Sequence, residues 1–373
     1  MPRRVRSRLL PQWREPGAVF RARFADAPYA VWLDGGADAV SGMSVLASAH
    51  AGSQFVTAGV APATVTRSTP MSTEASEATL EASVFEVLGE GLTGYSTDEG
   101  AAAAVAGPLG WFGWFGYELG GELNDVPTSE AETPDAAFLF VDRAIVFDHA
   151  VRSIRLIWLE GDPAEESDVR SGEAWADEVD AAIAQLGEPP VEPATDRQPT
   201  RPAPAVHWRH DSSRYTELIA QCQAAIIRGD AYQLCLTNRV DIDVRPDPAA
   251  TYLALRASSP SHHGGYLRFG EFALLSASPE QFLLVTADGV VSTKPMKGTR
   301  PRGVDAAEDE ALRRELIESE KERAENLMIV DLMRNDLGRV AELGTVSVPS
   351  LLEVEEYPHV HQLVSTVQAR LRH

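Results

Sequence analysis

The feature that most constrains the fold of this chain is a series of short apolar stretches separated by Gly, Pro and acidic turns. They include AVWLDGG, GWFGWFGYE, AFLFVDRAIVFD and SIRLIWLEG in the first half, and GYLRF, FALLSAS and EQFLLVTADGVVST in the second. Stretches of this length and composition predict β-strands joined by turns. Helical patterns interrupt them without a regular strand-helix alternation, so we predict an α+β fold with largely antiparallel sheets.

Several longer stretches have helical spacing. SSRYTELIAQCQAAIIRGD carries apolar residues at three- and four-residue intervals, has Ser and Asp at its start and ends at Gly229, which predicts a helix with both caps. Further helices are predicted near 76–88, 163–186 and 248–257, and a single long helix over 305–335. The strand AYQLCLTNRVDIDV is predicted to follow Gly229.

A proline-rich segment suggests how the chain is organised. GEPPVEPATDRQPTRPAPAV contains six prolines from Pro189 to Pro204 and almost no bulky apolar residue, which is typical of a linker or a long surface loop. We therefore predict an N-terminal region over 1–188, a linker over 189–206 and a C-terminal region over 207–373.

Composition excludes several classes of function. The 33 basic and 55 acidic side chains give a formal charge of −22, which disfavours broad contact with nucleic acid or an anionic membrane surface. The apolar stretch 101–117 is short and interrupted by Pro108 and glycines, so no membrane helix is predicted. The basic start lacks the apolar stretch of an export signal. Two cysteines, Cys222 and Cys235, predict reduced, buried thiols and a cytoplasmic protein.

The segment VSTKPMKGTRPRG holds the first candidate for chemistry, Lys297. A lysine becomes nucleophilic when nearby cations or desolvation lower its pKa, and Arg300 and Arg302 lie in the same segment. By itself, however, a lysine in a Gly/Pro turn is more typical of a solvated charge than of a nucleophile. The residues alone leave both interpretations open.

Three sets of acidic or histidine residues are further candidates. Glu322 and Glu325 share a helix face and could hold a divalent cation, although other glutamates crowd this helix and a solvated face fits the pattern as well. Glu280 follows the end of an apolar strand, where a partly desolvated carboxylate can act as a general acid or simply occupy a turn. His359 and His361 alternate along a strand, but no third metal ligand lies near them in sequence.

The order of these motifs resembles that of the chorismate-utilising enzymes, and within them the aminodeoxychorismate synthase component I branch. The resemblance runs from about residue 210 to the end and rests on GDAYQLCLTNR, SASPEQFL, KPMKGTRPRG, KERAENLMIVDLMRNDLGRV and HVHQLVSTV. GWFGWFGYELGG and VWLDGG give weaker support. The resemblance implies antiparallel sheets packed as a sandwich with helices outside.

The resemblance also implies a reaction and a role for each residue. Lys297 stands where this branch has a lysine thought to attack C2 of chorismate, after which ammonia displaces it by attack at C4; anthranilate synthases have alanine there. Glu280 would be the general acid for the C4 hydroxyl, and Thr299 would contact the substrate. Glu325 would bind Mg²⁺, with Glu322 as a second ligand or as a support for the first. Gln233 occupies the position of a water-activating lysine in isochorismate synthases, so water is not the expected nucleophile.

The implied function is amination of chorismate to 4-amino-4-deoxychorismate for folate and 4-aminobenzoate synthesis, with ammonia from a glutamine amidotransferase partner. The alternatives are anthranilate synthase component I and a non-catalytic remnant that binds a partner or a regulatory ligand, for which VWLDGG is the candidate segment. Gln362 replaces a histidine of the anthranilate synthases, and the neighbouring His361 is expected to point elsewhere. Resembled enzymes continue through a further substrate loop and a second metal-binding glutamate, so we expect a truncated chain with little activity unless another chain supplies these parts.

Overall fold

The computed structural model describes residues 3–72, 77–92, 95–96, 109–124, 126–160, 166–187, 204–357 and 359–372. Most of the predicted linker 189–206 lies outside these residues. The chain divides into two compact units, of which the first combines Met1–Gly187 with Tyr252–His373 and the second is Glu188–Thr251. The first unit therefore takes its residues from both sides of the proline-rich segment.

The described residues form helices and strands at most of the predicted places. The helices are α1 (Pro16–Arg23), α2 (Val84–Leu92), α3 (Leu119–Asn124), α4 (Glu166–Gln185), α5 (Ser212–Arg228), α6 (Pro248–Ser258), α7 (Ala306–Glu318) and α8 (Glu320–Val340). The first eleven strands are β1 (Arg3–Leu9), β2 (Tyr29–Asp34), β3 (Met43–Ser48), β4 (Phe55–Val60), β5 (Ala63–Ser68), β6 (Glu77–Leu80), β7 (Tyr95–Ser96), β8 (Gly110–Phe115), β9 (Ala136–Val141), β10 (Arg143–Asp148) and β11 (Ser153–Glu160). The remaining strands are β12 (Val206–Trp208), β13 (Val240–Ile242), β14 (His263–Phe269), β15 (Phe272–Ser278), β16 (Leu284–Val285), β17 (Val290–Thr293), β18 (Met296–Pro301), β19 (Ser347–Glu356) and β20 (Val360–Arg370).

The described residues of the first unit form three sheets. The largest has the strand order β15-β14-β2-β3-β10-β11-β1-β7, and the second has the order β6-β5-β4-β9-β8. The third has the order β16-β17-β20-β18, with β19 also paired to β20. Among the described strands every pairing is antiparallel except that of β1 with β7. The predicted α+β fold with largely antiparallel sheets is confirmed.

Two of these sheets pack face to face as a sandwich. Their shared core contains Val31, Val45 and Val146 from the large sheet and Phe112 and Leu139 from the second sheet. Alternate residues of each strand reach this interface, as expected where one face of a sheet is buried. The sandwich implied by the sequence resemblance is therefore present.

The third sheet is covered by α8 and carries the segment with Lys297. Val330 and Leu337 of α8 pack on Val291 of β17 and Val367 of β20. These side chains bury one apolar stripe of the helix and leave its polar residues at the edges. The packing fixes α8 over the sheet that contains β18.

The predicted long helix over 305–335 is wrong in one respect, because it is two helices that meet at Ser319. Ser319 has an extended backbone, with φ −62° and ψ 109°, and ends α7. Its hydroxyl then accepts the backbone N–H of Glu322, which starts α8 with an ordinary serine cap. As a result, Glu322 lies in the first turn of α8 and Glu325 one turn further.

The second unit confirms the capped helix but not the strand after it. Asp211 accepts the backbone N–H of Arg214 at the start of α5, and Gly229 ends the helix with φ 82°. Of the predicted strand AYQLCLTNRVDIDV, only β13 forms, paired with β12. The prediction of buried thiols is also wrong, since Cys222 is half-buried and Cys235 exposed.

A buried polar cluster lies beside β2 in the first unit. Asp34, 3% exposed, accepts hydrogen bonds from Arg256 Nε at 2.5 Å and from the Tyr252 hydroxyl at 3.2 Å. The hydroxyl of Ser44 lies 3.4 Å from Asp34 and 2.8 Å from Nε2 of the buried His149. The ion pair and the hydrogen bonds provide partners for polar groups whose burial would otherwise destabilise the fold.

Burial makes His149 a source of pH-dependent stability. Desolvation holds its pKa below the ordinary histidine value of about 6.5. The unfolded chain therefore binds a proton more readily, so the folded state is expected to lose stability as pH falls through about 6.5. Urea unfolding above and below this pH measures the free energy of unfolding. Its decrease at the lower pH should be smaller for His149→Gln than for the parent protein, because glutamine keeps a polar group near Ser44 but cannot titrate. Equal decreases in both proteins would contradict the assignment.

No helix within the part of the chain that the structure describes is long and apolar enough to cross a membrane.

Candidate active site

Lys297 lies in an irregular part of β18, between two regular pairings with β20. Met296 pairs with Val364 and Thr299 with Gln362, and the register shifts between these two pairs. The intervening Lys297 is half-buried. Because the shift frees this stretch from regular pairing, its side chains are directed by local packing.

The chain has three lysines, and they differ in their surroundings. Lys294 Nζ lies 2.7 Å from Glu355 Oε1, and Lys321 Nζ lies 3.8 Å from Glu322 Oε1. Among the described residues no carboxylate lies within 4.0 Å of Lys297 Nζ. Of the three lysines, Lys297 is thus the one without an ion-paired carboxylate in the part of the chain that the structure describes.

Glu280 lies beside the lysine segment, as the site prediction requires. Its Oε1 accepts the backbone N–H of Met296 at 3.3 Å, one residue before Lys297. The neighbouring Gln281 carbonyl accepts the N–H of Lys294 at 3.2 Å, so two contacts tie these segments together. Glu280 is exposed, however, and the expectation of a partly desolvated carboxylate is wrong for this structure.

Gly298 brings β18 unusually close to the helices. Its φ is +93°, and a Cβ at this position would lie 2.9 Å from Leu316 Cδ1 and 3.0 Å from Glu322 Cβ. Only glycine fits such an approach without displacing its neighbours. The side chain of Glu322 therefore packs directly on the residue after Lys297.

The two glutamates of α8 differ in how they are paired. Glu322, with a side chain 12% exposed, has its Oε1 3.6 Å from Arg300 Nη1 and 3.8 Å from Lys321 Nζ. Glu325 is 43% exposed and has its Oε1 4.0 Å from Lys321 Nζ. The shared face predicted for the two glutamates is present.

These carboxylates fit a magnesium ion in number and type. Mg²⁺ prefers oxygen ligands and commonly takes only one or two carboxylates, with water or substrate in its other positions. No cluster of three or more His, Cys, Asp or Glu ligands occurs within the described ranges. Glu322 and Glu325 offer the kind of oxygen donors that Mg²⁺ takes, and Glu325 is the less engaged of the two in ion pairs.

Thr299 and Gln362 contact each other across β18 and β20. The Thr299 hydroxyl donates to Gln362 Oε1 at 3.0 Å, and Thr299 is exposed. Sequence reasoning noted Gln362 only as a departure from a histidine and did not place it beside Thr299. Strand alternation supplies the missing signal, because neighbouring residues of a strand point to opposite faces.

His361 indeed points away from this side, as expected. It is fully buried, and its Nε2 lies 2.9 Å from Asp309 Oδ1. Arg302 donates two hydrogen bonds to the same carboxylate and holds the pKa of Asp309 far below its usual range. Arg302 and His361 are therefore engaged in holding β18 and β20 against α7.

Gln233 belongs to the second unit, where it lies between α5 and β13 and is exposed. The contacts above place Glu280 beside the segment that carries Lys297 and Thr299, and Glu322 beside Gly298 of that segment, with Glu325 on the same helix face as Glu322. The role of Gln233 stays a prediction.

Comparison with curated proteins finds relatives named as aminodeoxychorismate synthases and relatives named as anthranilate synthases. The chain is 42% identical to aminodeoxychorismate synthase of Streptomyces pristinaespiralis, over 70% of this chain and 36% of that protein. It is 39% identical to the aminodeoxychorismate synthase of Streptomyces griseus, over 100% of this chain and 51% of that protein. Anthranilate synthase component 1 of Streptomyces coelicolor is 41% identical over 68% of this chain and 51% of that protein. The chain spans about half the length of these relatives or less.

Solved structures share the fold. Anthranilate synthase component I from Streptococcus pneumoniae superposes with a TM-score of 0.64 at 24% identity, covering 93% of this chain and 70% of that one. The menaquinone-specific isochorismate synthase from Escherichia coli has a TM-score of 0.57 at 14% identity, with coverage of 100% and 72%. A family model described as chorismate binding enzyme matches residues 32–373. Because that match extends over most of the sequence, the chain belongs to the family of chorismate-binding enzymes.

Proposed function

We propose that this chain is the chorismate-aminating component of an aminodeoxychorismate synthase, converting chorismate and ammonia into 4-amino-4-deoxychorismate. The observation that carries the proposal is Lys297, an amine without a carboxylate partner among the described residues, next to Glu280 and α8. Two aminodeoxychorismate synthases at 39% and 42% identity support it. The product would serve folate and 4-aminobenzoate synthesis.

In the proposed first step, the neutral amine of Lys297 attacks C2 of chorismate. A C–N bond forms, the ring double bonds shift, and the C4–O bond breaks. Hydroxide is a poor leaving group, so Glu280 donates a proton and the hydroxyl departs as water. The new secondary ammonium loses its extra proton to solvent. Ammonia then attacks C4, the double bonds shift back and the C2–N bond breaks. The departing nitrogen takes up the proton that the new C4 ammonium group gives up, so Lys297 leaves as a neutral amine.

Binding and orientation would fall to the residues around Lys297. Thr299, held by Gln362, would donate to a substrate oxygen, and Gln233 would contact substrate without activating water. Glu325 and Glu322 would hold Mg²⁺, which would supply positive charge for a chorismate carboxylate. Arg300, already beside Glu322, would limit the negative charge of the site when the metal is absent.

The proposal includes a glutamine amidotransferase that supplies ammonia. One relative, from Klebsiella aerogenes, is named aminodeoxychorismate synthase component 1, and this name implies a second component. The proposal also includes a cytoplasmic location, supported by the two free cysteines. The supply of ammonia would then depend on that partner chain. Assays therefore use the protein purified together with the chains that accompany it in the cell, here called the purified complex.

The second candidate is anthranilate synthase component I, favoured by the relative at 41% identity in Streptomyces coelicolor. The two functions give different products from the same reactants. The purified complex should convert chorismate, ammonium and Mg²⁺ into 4-amino-4-deoxychorismate, which chromatography with mass detection separates from anthranilate. Anthranilate as the main product would replace the proposal by this second candidate.

Removing the proposed general acid should slow amination strongly. Glu280→Gln keeps an oxygen for the N–H of Met296 but has no proton to donate, so we expect the rate to fall about 10²-fold, at the lower end for general acids. The measurement is the initial rate of product formation. Glu271→Gln, a matched change of an exposed glutamate at the other end of β15, should retain the parent rate. A Glu280→Gln rate within about twofold of the parent would exclude the role.

A further inference from the structure

Asn326 is a fully buried polar side chain directly after Glu325 in α8. Its Oδ1 accepts the Ser365 hydroxyl at 2.6 Å, and its Nδ2 donates to the Leu363 carbonyl at 3.1 Å. Nδ2 also lies 3.5 Å from the carbonyl oxygen of Pro295, the residue that precedes β18. One amide thus connects the helix of the two glutamates with the strand of Lys297.

The hydrogen bonds admit one orientation of this amide. Both carbonyls can only accept, so the NH₂ group must face Leu363 and Pro295. The Ser365 hydroxyl accepts the backbone N–H of Leu352 at 2.9 Å, which leaves its own proton for Asn326 Oδ1. The amide is therefore held at both ends.

The Pro295 carbonyl receives a second donor that strengthens the connection. The backbone N–H of Ser365 donates to it at 3.1 Å, so β20 and α8 converge on the same oxygen. Lys297 follows two residues later, and Gly298 then packs on Glu322. The chain between Pro295 and Gly298 is thereby held against α8 at both ends, with Lys297 between them.

Packing a helix on a sheet through a buried amide requires desolvation of polar atoms, which an apolar side chain avoids. One turn further along α8, Val330 makes the same kind of contact with apolar groups alone. Burying Asn326 brings a desolvation cost that a valine would avoid, while its directional bonds fix the register of α8 against β18.

We infer that Asn326 is a positioning residue that sets the placement of the Lys297 amine relative to Glu322 and Glu325. The inference rests on the proposed function for the roles of Lys297 and the glutamates. Its physical content is a coupling: a change at Asn326 alters both the reactivity of Lys297 and the affinity of the α8 carboxylates for a divalent cation.

The test measures both properties in the purified complex without chorismate. Trace acetylation followed by peptide mass spectrometry gives the labelling rate of Lys297 relative to Lys294 and Lys321, and Mn²⁺ titration gives the metal affinity. Asn326→Asp keeps the shape and the bond from Ser365 but loses both donations. We expect about a tenfold fall in Mn²⁺ affinity, the lower end for loss of a group that supports a metal ligand, and a changed Lys297 labelling ratio.

Val330→Ala is the matched control, since it disturbs the same helix without touching Pro295. It should lower the unfolding temperature and leave both readouts unchanged. Ser365→Ala should move both readouts in the same direction as Asn326→Asp, and it decides the question if Asn326→Asp does not fold. Variants at 326 and 365 that only lower the unfolding temperature would overturn the inference.

These readouts separate the inference from the proposed function. A complex that forms no aminated chorismate but still shows the coupling refutes the function and keeps the role of Asn326. If the unchanged complex binds no Mn²⁺, the labelling ratio alone decides. A complex that aminates chorismate but shows no coupling supports the function and refutes the role of Asn326.

Discussion

Replacing Lys297 by methionine is expected to abolish formation of 4-amino-4-deoxychorismate. Methionine has a similar length and no amine, so the covalent route through C2 is closed while the packing of β18 is largely kept. We expect the rate of product formation to fall roughly 10³-fold or more, as for other residues that act as nucleophiles. The measurement is product formation from chorismate and ammonium by the purified complex.

Lys294→Met provides the control for this prediction. It removes an amine three residues away that is already engaged, because Nζ of Lys294 lies 2.7 Å from Glu355 Oε1. We expect this variant to retain most of the parent rate. Product formation by Lys297→Met at a rate near that of Lys294→Met would mean that ammonia attacks without a lysine intermediate.

Among the substitutions proposed for this protein, replacing Asp34 by alanine is expected to lower the free energy of unfolding most. The substitution leaves Arg256, whose side chain is 15% exposed, without its carboxylate, while its Nη2 keeps only the Gly36 carbonyl. Removing one member of a buried ion pair commonly costs about 3–5 kcal/mol, because the other charge stays desolvated. Urea unfolding of the purified protein measures the change in the free energy of unfolding.

Two further variants test the cause of that loss. Asp38→Ala removes an exposed acid from the loop that follows β2 and should change the free energy of unfolding by less than about 0.5 kcal/mol. Adding Arg256→Met to Asp34→Ala should recover part of the lost stability, since it removes the stranded charge. A double variant less stable than Asp34→Ala would show that the packing of Arg256, and not its charge, dominates.

Local patterns in the sequence predicted the elements better than their arrangement. The caps of α5 are encoded within a few residues of its ends, and both were predicted. The break at Ser319 was missed because helical spacing continues across it, and the serine cap is visible only from the backbone. The pairing of β14 with β2 joins residues more than two hundred positions apart, which no local pattern can specify.

In the candidate site, too, residues within sequence motifs were predicted, whereas contacts that depend on the fold were not. Motif order pointed to Glu280 and Lys297, and the contact of Glu280 with Met296 N–H brings their segments together, although their chemical roles remain proposals. Asn326 was passed over because it follows Glu325 in a charged segment, and its burial depends on how α8 lies on β20. Gln362 gained meaning only through its hydrogen bond with Thr299.

The most direct test of the account is the covalent state of Lys297 during reaction. The purified complex is mixed with chorismate and Mg²⁺ without ammonia, quenched in acid and mapped by peptide mass spectrometry over the three lysines of this chain. We predict a chorismate-derived mass, reduced by one water, on the peptide that contains Lys297, and its disappearance when ammonium is added. Unmodified Lys297 in a complex that forms 4-amino-4-deoxychorismate, or a modification at Lys294 or Lys321 instead, would contradict the account.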